Sequence, residues 1–522
     1  MVVLMRVTRY GLTLAIVSAA AVVAAGCSSS PPSTGTTSTA GGAAQPAGSW
    51  ADPNGNLANT RDVTGARISS ANVGQLKEAW TYRLPAAAAA NVEDSGSLAA
   101  APVVVNGVVY LQDLYANVYA ISLATGKLKW EYQVNIPEKT GPGPDGVAVA
   151  GGVVYGDSST AVFALNAATG AVLWDDKDLL TSGQGSFEIQ PAVAGGRVYL
   201  ASAYGTAPGG GVLLALNAST GAKLWSFNTV TGGQPAGVSS LGLGSGGAWE
   251  TPLVGTDGTV TFGIGNPYQP LGQAISHPAA DLYTDSEVNL NAATGKLNWY
   301  YQAEPNDFRD WDIQLSPIST VVGGTPAIIG GGKMGDVYAF NAATGALLWQ
   351  TPVGVHDGHD NDSRLLLEHK LTITLPYTYE PGPLGGVLTD MAAAGDSVYA
   401  ASVDVPFKFT SLSQVNGVAA ATKAAGDIEA LNVNTGKVEW DRSVPSLPLG
   451  AVTVSNDLVF TTLVSGKLIA LNRSTGAIVF QQQLPVATNS PIAVTSNAVL
   501  VPAGGPGTSA NDNAQLVAYS IP

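Results

Sequence analysis

Five groups of side chains have the types and spacing to do chemistry. Asp312 closes the stretch Pro305-Asn306-Asp307-Phe308-Arg309-Asp310-Trp311-Asp312. A carboxylate there can take a proton from a hydroxyl held within hydrogen-bond reach, or it can cap backbone amides of its own loop. Asn266 lies in Gly263-Ile264-Gly265-Asn266-Pro267. Its amide oxygen is a hard donor suited to Ca²⁺, although a Gly-Asn-Pro turn needs no metal. Trp249, in Gly246-Gly247-Ala248-Trp249, offers a flat indole for stacking against a flat ring system, or it is a core residue. Lys333, in Gly330-Gly331-Gly332-Lys333-Met334-Gly335, could stabilise negative charge that develops in a reaction, or it is a solvated hairpin residue. His356-Asp357-Gly358-His359-Asp360-Asn361-Asp362 places two His and three Asp in one short run that could hold a metal. A polar loop is the simpler account of that run.

Residues this far apart in sequence need a scaffold that brings them together, and a repeat supplies one. Leu/Phe-Asn-x-x-Thr-Gly-x-x-x-Trp, with small variations, occurs seven times, ending at Trp130, Trp174, Trp225, Trp299, Trp349, Trp440 and Phe480. Asn and Thr favour a turn through side-chain bonds to the backbone, and Gly supplies positive φ. Such a turn joins adjacent antiparallel strands, and the aromatic then falls on an outer strand where it can pack on the next sheet. Repeats of this length, each holding several short strands, are propeller blades. Leu76–Trp80 reads as an outer strand lacking its inner partners, and Gln515–Tyr519 as a strand whose outer neighbour is missing. The two halves make one split blade. The expected fold is therefore all-β: an eight-bladed propeller of four-stranded antiparallel blades over residues 50–522, closed by its N- and C-terminal strands. Successive turn glycines are 44, 51, 74, 50, 91 and 40 residues apart. The two longest gaps carry insertions, and long loops on a rigid frame are where function concentrates.

Composition agrees. Only 12% of residues are charged and 63 are Gly, which suits a turn-rich β fold with a large core. The net charge of -15 and the lack of any Lys/Arg cluster argue against nucleic acid as a partner. At the N-terminus, Arg6 and Arg9 precede an apolar run from Gly11 to Ala25, the pattern of a signal peptide over residues 1–26. Ala24-Ala25-Gly26-Cys27 resembles a bacterial lipobox, with Ala24 where Leu is usual. It implies lipidation of Cys27, anchoring to the cell membrane and an extracytoplasmic location. Residues 27–49 are rich in Ser, Thr, Gly and Pro and read as a flexible tether. Cys27 is the single cysteine, so no disulfide forms within the chain, and there is no Cys-x-x-Cys-His for a c-type haem.

The repeat resembles the tryptophan-docking repeat of the pyrroloquinoline quinone (PQQ) dehydrogenases, with Asn mostly replacing their Asp. That resemblance covers residues 50–522. It implies PQQ and Ca²⁺ on the propeller axis, oxidation of a small alcohol, and transfer of electrons to an external acceptor. It assigns Trp249 to the floor under PQQ and Asn266 and Asp312 to the metal. The resemblance also makes Asp312 the catalytic base and places Lys333 at the quinone oxygens. Gln314 stands where lanthanide users carry a second Asp, which favours Ca²⁺. Three departures accompany these matches: Ala99 and Ala203 where the family has Glu, and Asp145 where it has a carboxylate-binding Arg. Swapping Arg for Asp turns attraction for a cofactor carboxylate into repulsion. These losses leave an alternative, a non-catalytic propeller lipoprotein acting as an envelope scaffold, similar to the outer-membrane assembly lipoprotein of Gram-negative bacteria.

Overall fold

Each Thr-Gly turn does the same structural job. In LNAATG and its variants the Asn side-chain oxygen accepts from residues two and three further on, as Asn291 does from the Ala293 and Thr294 amides at 3.1 and 3.0 Å. The turn Gly adopts positive φ, and the indole of the preceding blade lies directly against it. A Cβ on Gly345 would sit 2.5 Å from Trp299 Cε3. The same indole donates its N–H to the carbonyl of Ala342 at 2.9 Å. This pair of contacts recurs for Trp80, Trp130, Trp174, Trp225, Trp349 and Trp440 against the next blade in order. Phe480 departs from the pattern for a physical reason. Its neighbour is the split blade, which has no Thr-Gly turn to offer a carbonyl, and Phe480 packs instead on an apolar cluster that includes Val73 and Leu76.

A computed structural model describes residues 48–85, 96–134, 146–206, 209–230, 245–414, 425–505 and 514–522, with the backbone of 45–46. It contains eight four-stranded antiparallel blades. The first runs from Val103–Val105 at the axis to Leu128–Tyr132 outside, the fifth from Ile318–Val322 to Leu347–Pro352, and the seventh from Thr453–Ser455 to Ile478–Gln483. The eighth takes its inner strands, Ala493–Val494, Ala498–Ala503 and Gln515–Ser520, from the C-terminus and its outer strand, Lys77–Arg83, from the N-terminus. Glu78 pairs with Tyr519 and Trp80 with Ala518. Closing the ring this way leaves no free sheet edge between the first and last blades. The eight-bladed expectation from the sequence is thus the observed fold.

Two features position the site. Insertions within the fourth and sixth blades and between the fifth and sixth form a roof. Helices Leu271–Ser276 and Asp362–Leu367 and the ribbon of Tyr377–Tyr379 with Phe407–Phe409 pack with Phe308 and Trp311 into one apolar cluster. At the axis, the segment following Trp50 fills the channel. Trp50 bridges to Val104, and Asp62–Thr64 adds in parallel to Thr453–Ser455. Asn59 donates to the carbonyls of Thr251 and Pro317, and the Arg61 guanidinium to Val452, Thr453 and Ile492.

Gly345→Ala forces a Cβ into the Trp299 ring at a residue with φ of +70°. It is expected to lower stability by about 1–3 kcal/mol in chemical denaturation. Gly74→Ala, with nothing within 4 Å of the new Cβ, is expected to leave the midpoint in place.

Candidate active site

Asp312 and its neighbours come from the connection between the outer strand of the fourth blade and the inner strand of the fifth. Asp307 organises that connection: its two carboxylate oxygens accept the amides of Arg309 at 2.9 Å and Trp311 at 3.0 Å. Trp311 is fully buried in the roof and donates to the Pro381 carbonyl at 2.9 Å. Arg309 lies with its guanidinium 3.3 Å from the Trp311 ring centroid and is also fully buried. It pairs with Glu304 at 2.9 Å, donates to Ser363 Oγ at 2.9 Å, and also bonds the carbonyls of His359 and Asp360. These anchors fix where Asp312 projects.

Asn266, Asp312 and Lys333 meet in one place. The backbone N–H of Asn266 donates to Asp312 Oδ1 at 2.6 Å, and its side-chain amide contacts Asp310. Lys333 Nζ stands 2.6 Å from Asp312 Oδ2 and 3.2 Å from Asp310 Oδ2. Burial opposes the ammonium's charge, but the two carboxylates outweigh it and raise the Lys333 pKa. Asp310 is pushed well up by burial, against the pull of Lys333. Trp249 borders the same point. A Cβ on Gly265 would lie 2.5 Å from Asp312 Oδ1 and 3.1 Å from Trp249 Nε1, so only Gly leaves this cradle open. The Trp249 N–H has no hydrogen-bond partner among the described residues, and Tyr204 meets its ring edge-on with centroids 4.6 Å apart.

Lys333 also reaches the wall of an axial cavity of about 370 Å³. Around it stand Ala99, Gln190, Thr251, Gln314, Asp390 and Asn489, contributed by connections all round the ring. These residues precede the inner strands, whereas Val104 and Val454, which bind the N-terminal segment, lie within them. Asn54 of that segment forms part of the cavity wall, so the segment closes the channel beyond the cavity. The size suits a small-molecule site.

Of the departures, Ala99 lines the cavity. Ala203 lies beside the cradle, its Cβ 3.3 Å from the position a Gly247 Cβ would take. Asp145 falls outside the described residues, as do Cys27, the signal segment and most of the tether. The acidic His run is a packed loop. His356 Nδ1 pairs with Asp360 at 2.8 Å and His359 Nδ1 with Asp362 at 2.9 Å, and each pair is satisfied within the loop. Among the described residues the group of acids close enough to share a metal is elsewhere, at Asp427, Glu429 and Asp441.

Sequence reasoning passed over several residues of this centre: Asp310, Asp285, Glu304 and Arg309. Asp285 is fully buried beside the cradle, its N–H on the Gly265 carbonyl at 3.1 Å, and neither carboxylate oxygen has a hydrogen-bond partner among the described residues. Burial, then Asp307, Asp312, Glu304 and Asp310, push its pKa well up. For Glu304, Arg309 and Asp310 the one signal available was their place beside Asp307 and Asp312 in the sequence.

Buried acids make stability depend on pH. Burial raises Glu287 to about 8, and its oxygens likewise have no hydrogen-bond partner among the described residues. Glu429 is also raised to about 8 by burial, against a bond from Ser402. An acid raised in the folded state stabilises it fully below the unfolded pKa, near 4.5, and loses that contribution as pH rises through 8. Each such group contributes at most about 1.4 kcal/mol per pH unit. The thermal midpoint is expected to fall between pH 5 and 8, and Glu287→Gln to flatten that fall.

Fold and site together define an eight-bladed, tryptophan-docked propeller with an oxygen-rich axial centre. The family model described as the β-propeller domain of glucose/ethanol/alcohol dehydrogenases (PQQ) matches residues 50–150 and 186–353, more than half of the chain. The chain belongs to this PQQ propeller family. A second model, described as outer membrane protein assembly factor BamB, matches residues 424–521. Among curated relatives, quinohemoprotein alcohol dehydrogenase ADH-IIG of Pseudomonas putida is 24% identical over 59% of this chain and 46% of its own length. The quinoprotein alcohol dehydrogenase PedH of the same species is 26% identical over 46% of this chain and 44% of its own. The chain thus spans less than half the length of these relatives. Among solved structures, quinohemoprotein alcohol dehydrogenase from Comamonas testosteroni superposes with a TM-score of 0.74 at 22% identity, covering 91% of this chain and 80% of that one.

Proposed function

We propose that this protein is a PQQ-dependent dehydrogenase that oxidises a primary or secondary alcohol in the cell envelope, held there through lipidated Cys27, and passes electrons to an external acceptor. The observation that carries this reading is the convergence of Trp249, Asn266, Asp312 and Lys333 beside the axial cavity.

The residues fit the groups. Amide and carboxylate oxygens are the donors Ca²⁺ takes, and the unpartnered Trp249 N–H and the open Gly265 cradle mark space next to them. Asn266 and Asp312 would hold Ca²⁺, Trp249 would offer a ring face and Lys333 a charged donor to quinone oxygens. Bound there, PQQ would supply the oxidant that takes two electrons and the carbon-bound hydrogen of the alcohol. Asp312 takes the hydroxyl proton, its position fixed by the Asn266 N–H. Lys333 balances the negative charge that accumulates. Phe308, Trp311 and Tyr379 in the roof keep water from the centre. On the cavity wall the Asn489 amide is a neutral donor for a cofactor carboxylate, whereas Gln190 and Thr251 already donate to the carbonyls of Ala101, Val147 and Gln190.

The test is titration of the purified protein with PQQ and Ca²⁺, followed by the ultraviolet-visible spectrum and dye-linked alcohol oxidation. Saturable binding with dye reduction is the expected result. No binding at micromolar PQQ would refute the proposal. Ala99 in the cavity wall and Ala203 beside the cradle favour a second reading, an envelope scaffold without catalysis. Recovery of an envelope partner by pull-down, with no PQQ bound, would establish that reading instead.

A further inference from the structure

We propose that Asp310 is a metal ligand in this chain, so that the centre holds its cation between two carboxylates, Asp310 and Asp312, together with Asn266. This rests on the metal-holding reading of the site given above.

The geometry begins with Lys333. Its single ammonium lies between Asp312 Oδ2 at 2.6 Å and Asp310 Oδ2 at 3.2 Å. Two carboxyl groups thus converge on one cationic position, where a single ammonium can cancel the charge of only one of them. Asn266 ties to both acids, through its backbone N–H to Asp312 and its side-chain amide to Asp310. All three are nine-tenths buried or nearly so: Asn266 and Asp312 are each 1% exposed, and the Asp310 side chain is 13% exposed. Buried like charges at this spacing are costly unless a cation holds them.

A second observation points the same way. Asp285 is wholly buried, its two oxygens have no hydrogen-bond partner among the described residues, and burial, then Asp307, Asp312, Glu304 and Asp310, disfavour its charge. Lys333 is already committed to the Asp310–Asp312 pair, and Arg309 to Glu304 and Asp307. Ionised together, these acids would outnumber the available side-chain cations, which is the balance a divalent ion corrects. Ala203, beside the cradle, offers no oxygen beyond its backbone. Asp310 reaches the centre from the connection that Asp307 organises, where it meets the Asn266 amide and Lys333.

The experiment uses Tb³⁺ as the probe, because tryptophans close to a bound lanthanide sensitise its emission and Trp249 and Trp311 adjoin the site. It is run on the full mature protein without PQQ, in a Glu429→Gln background that silences the separate acidic trio. Luminescence titration and Ca²⁺ competition are read for the parent, Asp310→Asn and Asp310→Glu, with the thermal midpoint recorded without metal. The expected result is binding by the parent, at least tenfold weaker binding by Asp310→Asn, and retained binding by Asp310→Glu. Equal affinity in the parent and Asp310→Asn overturns this inference and leaves the metal centre standing. No Tb³⁺ or Ca²⁺ binding by the parent overturns the metal centre itself, and this inference with it. Should Asp310→Asn fail to fold, Asp310→Ser is read in its place: affinity equal to the parent overturns the assignment, and binding at least tenfold weaker supports it.

Discussion

Asp312→Asn is expected to lower kcat/KM for dye-linked alcohol oxidation by about 10²–10⁴-fold, the range for removing a positioned general base. The amide is nearly isosteric with the carboxylate. It can still accept from Asn266 or face Lys333, the two contacts that hold Asp312, so the roof and cavity should persist. It cannot take a proton from a hydroxyl, and it withdraws one of the charges that balance Lys333. The comparison is made at saturating PQQ, with the PQQ dissociation constant and thermal midpoint measured alongside. Activity within a fewfold of the parent protein would move the base elsewhere, and Asp310 would be the next residue to test.

Arg309→Leu is expected to have the largest effect on stability, a loss of about 3–5 kcal/mol, the cost of stripping one partner from a buried charge pair. The guanidinium is fully buried and faces Glu304 at 2.9 Å and Asp307 at 3.8 Å. It also bonds Ser363 and the carbonyls of His359 and Asp360. Leucine fills part of the space over Trp311 but leaves two acids without a countercharge and the inserted loop without its tie. Urea denaturation provides the measurement. Lys177→Ala removes a largely exposed pair with Asp175 and is expected to leave the midpoint unchanged. A similar, small change for both variants would show that the buried network carries no net stability.

What the sequence revealed and what it hid follow from the range of the interactions. The Thr-Gly turn is local, so its Asn, Thr and Gly declare it within a few residues, and the aromatic four positions later announces contact with a neighbour. Repetition then yields blade number, and the unmatched strands at Leu76–Trp80 and Gln515–Tyr519 yield closure. Trp249, Asn266 and Lys333 were legible because each sits in a short Gly-rich motif. Arg309 was not, because its meaning lies in Glu304, Ser363 and a loop about fifty residues away. Glu287 reads as an ordinary strand residue. Only the packed structure sets its carboxylate against Gly330, where a Cβ would lie 2.1 Å from Oε1. The Phe480 variant became intelligible only once its neighbour was known to lack a turn.

The segment that fills the axial channel carries a consequence for assembly. Residues 50–64 bind the first, fourth, fifth, sixth, seventh and eighth blades. They leave the ribosome before any of those blades, yet several of their partners lie 391 to 431 residues further along the chain. Such distant pairing slows folding and couples the ring into one cooperative unit. A nascent chain missing its final blades has nowhere to seat its beginning, so this strap is docked only when the circle is complete.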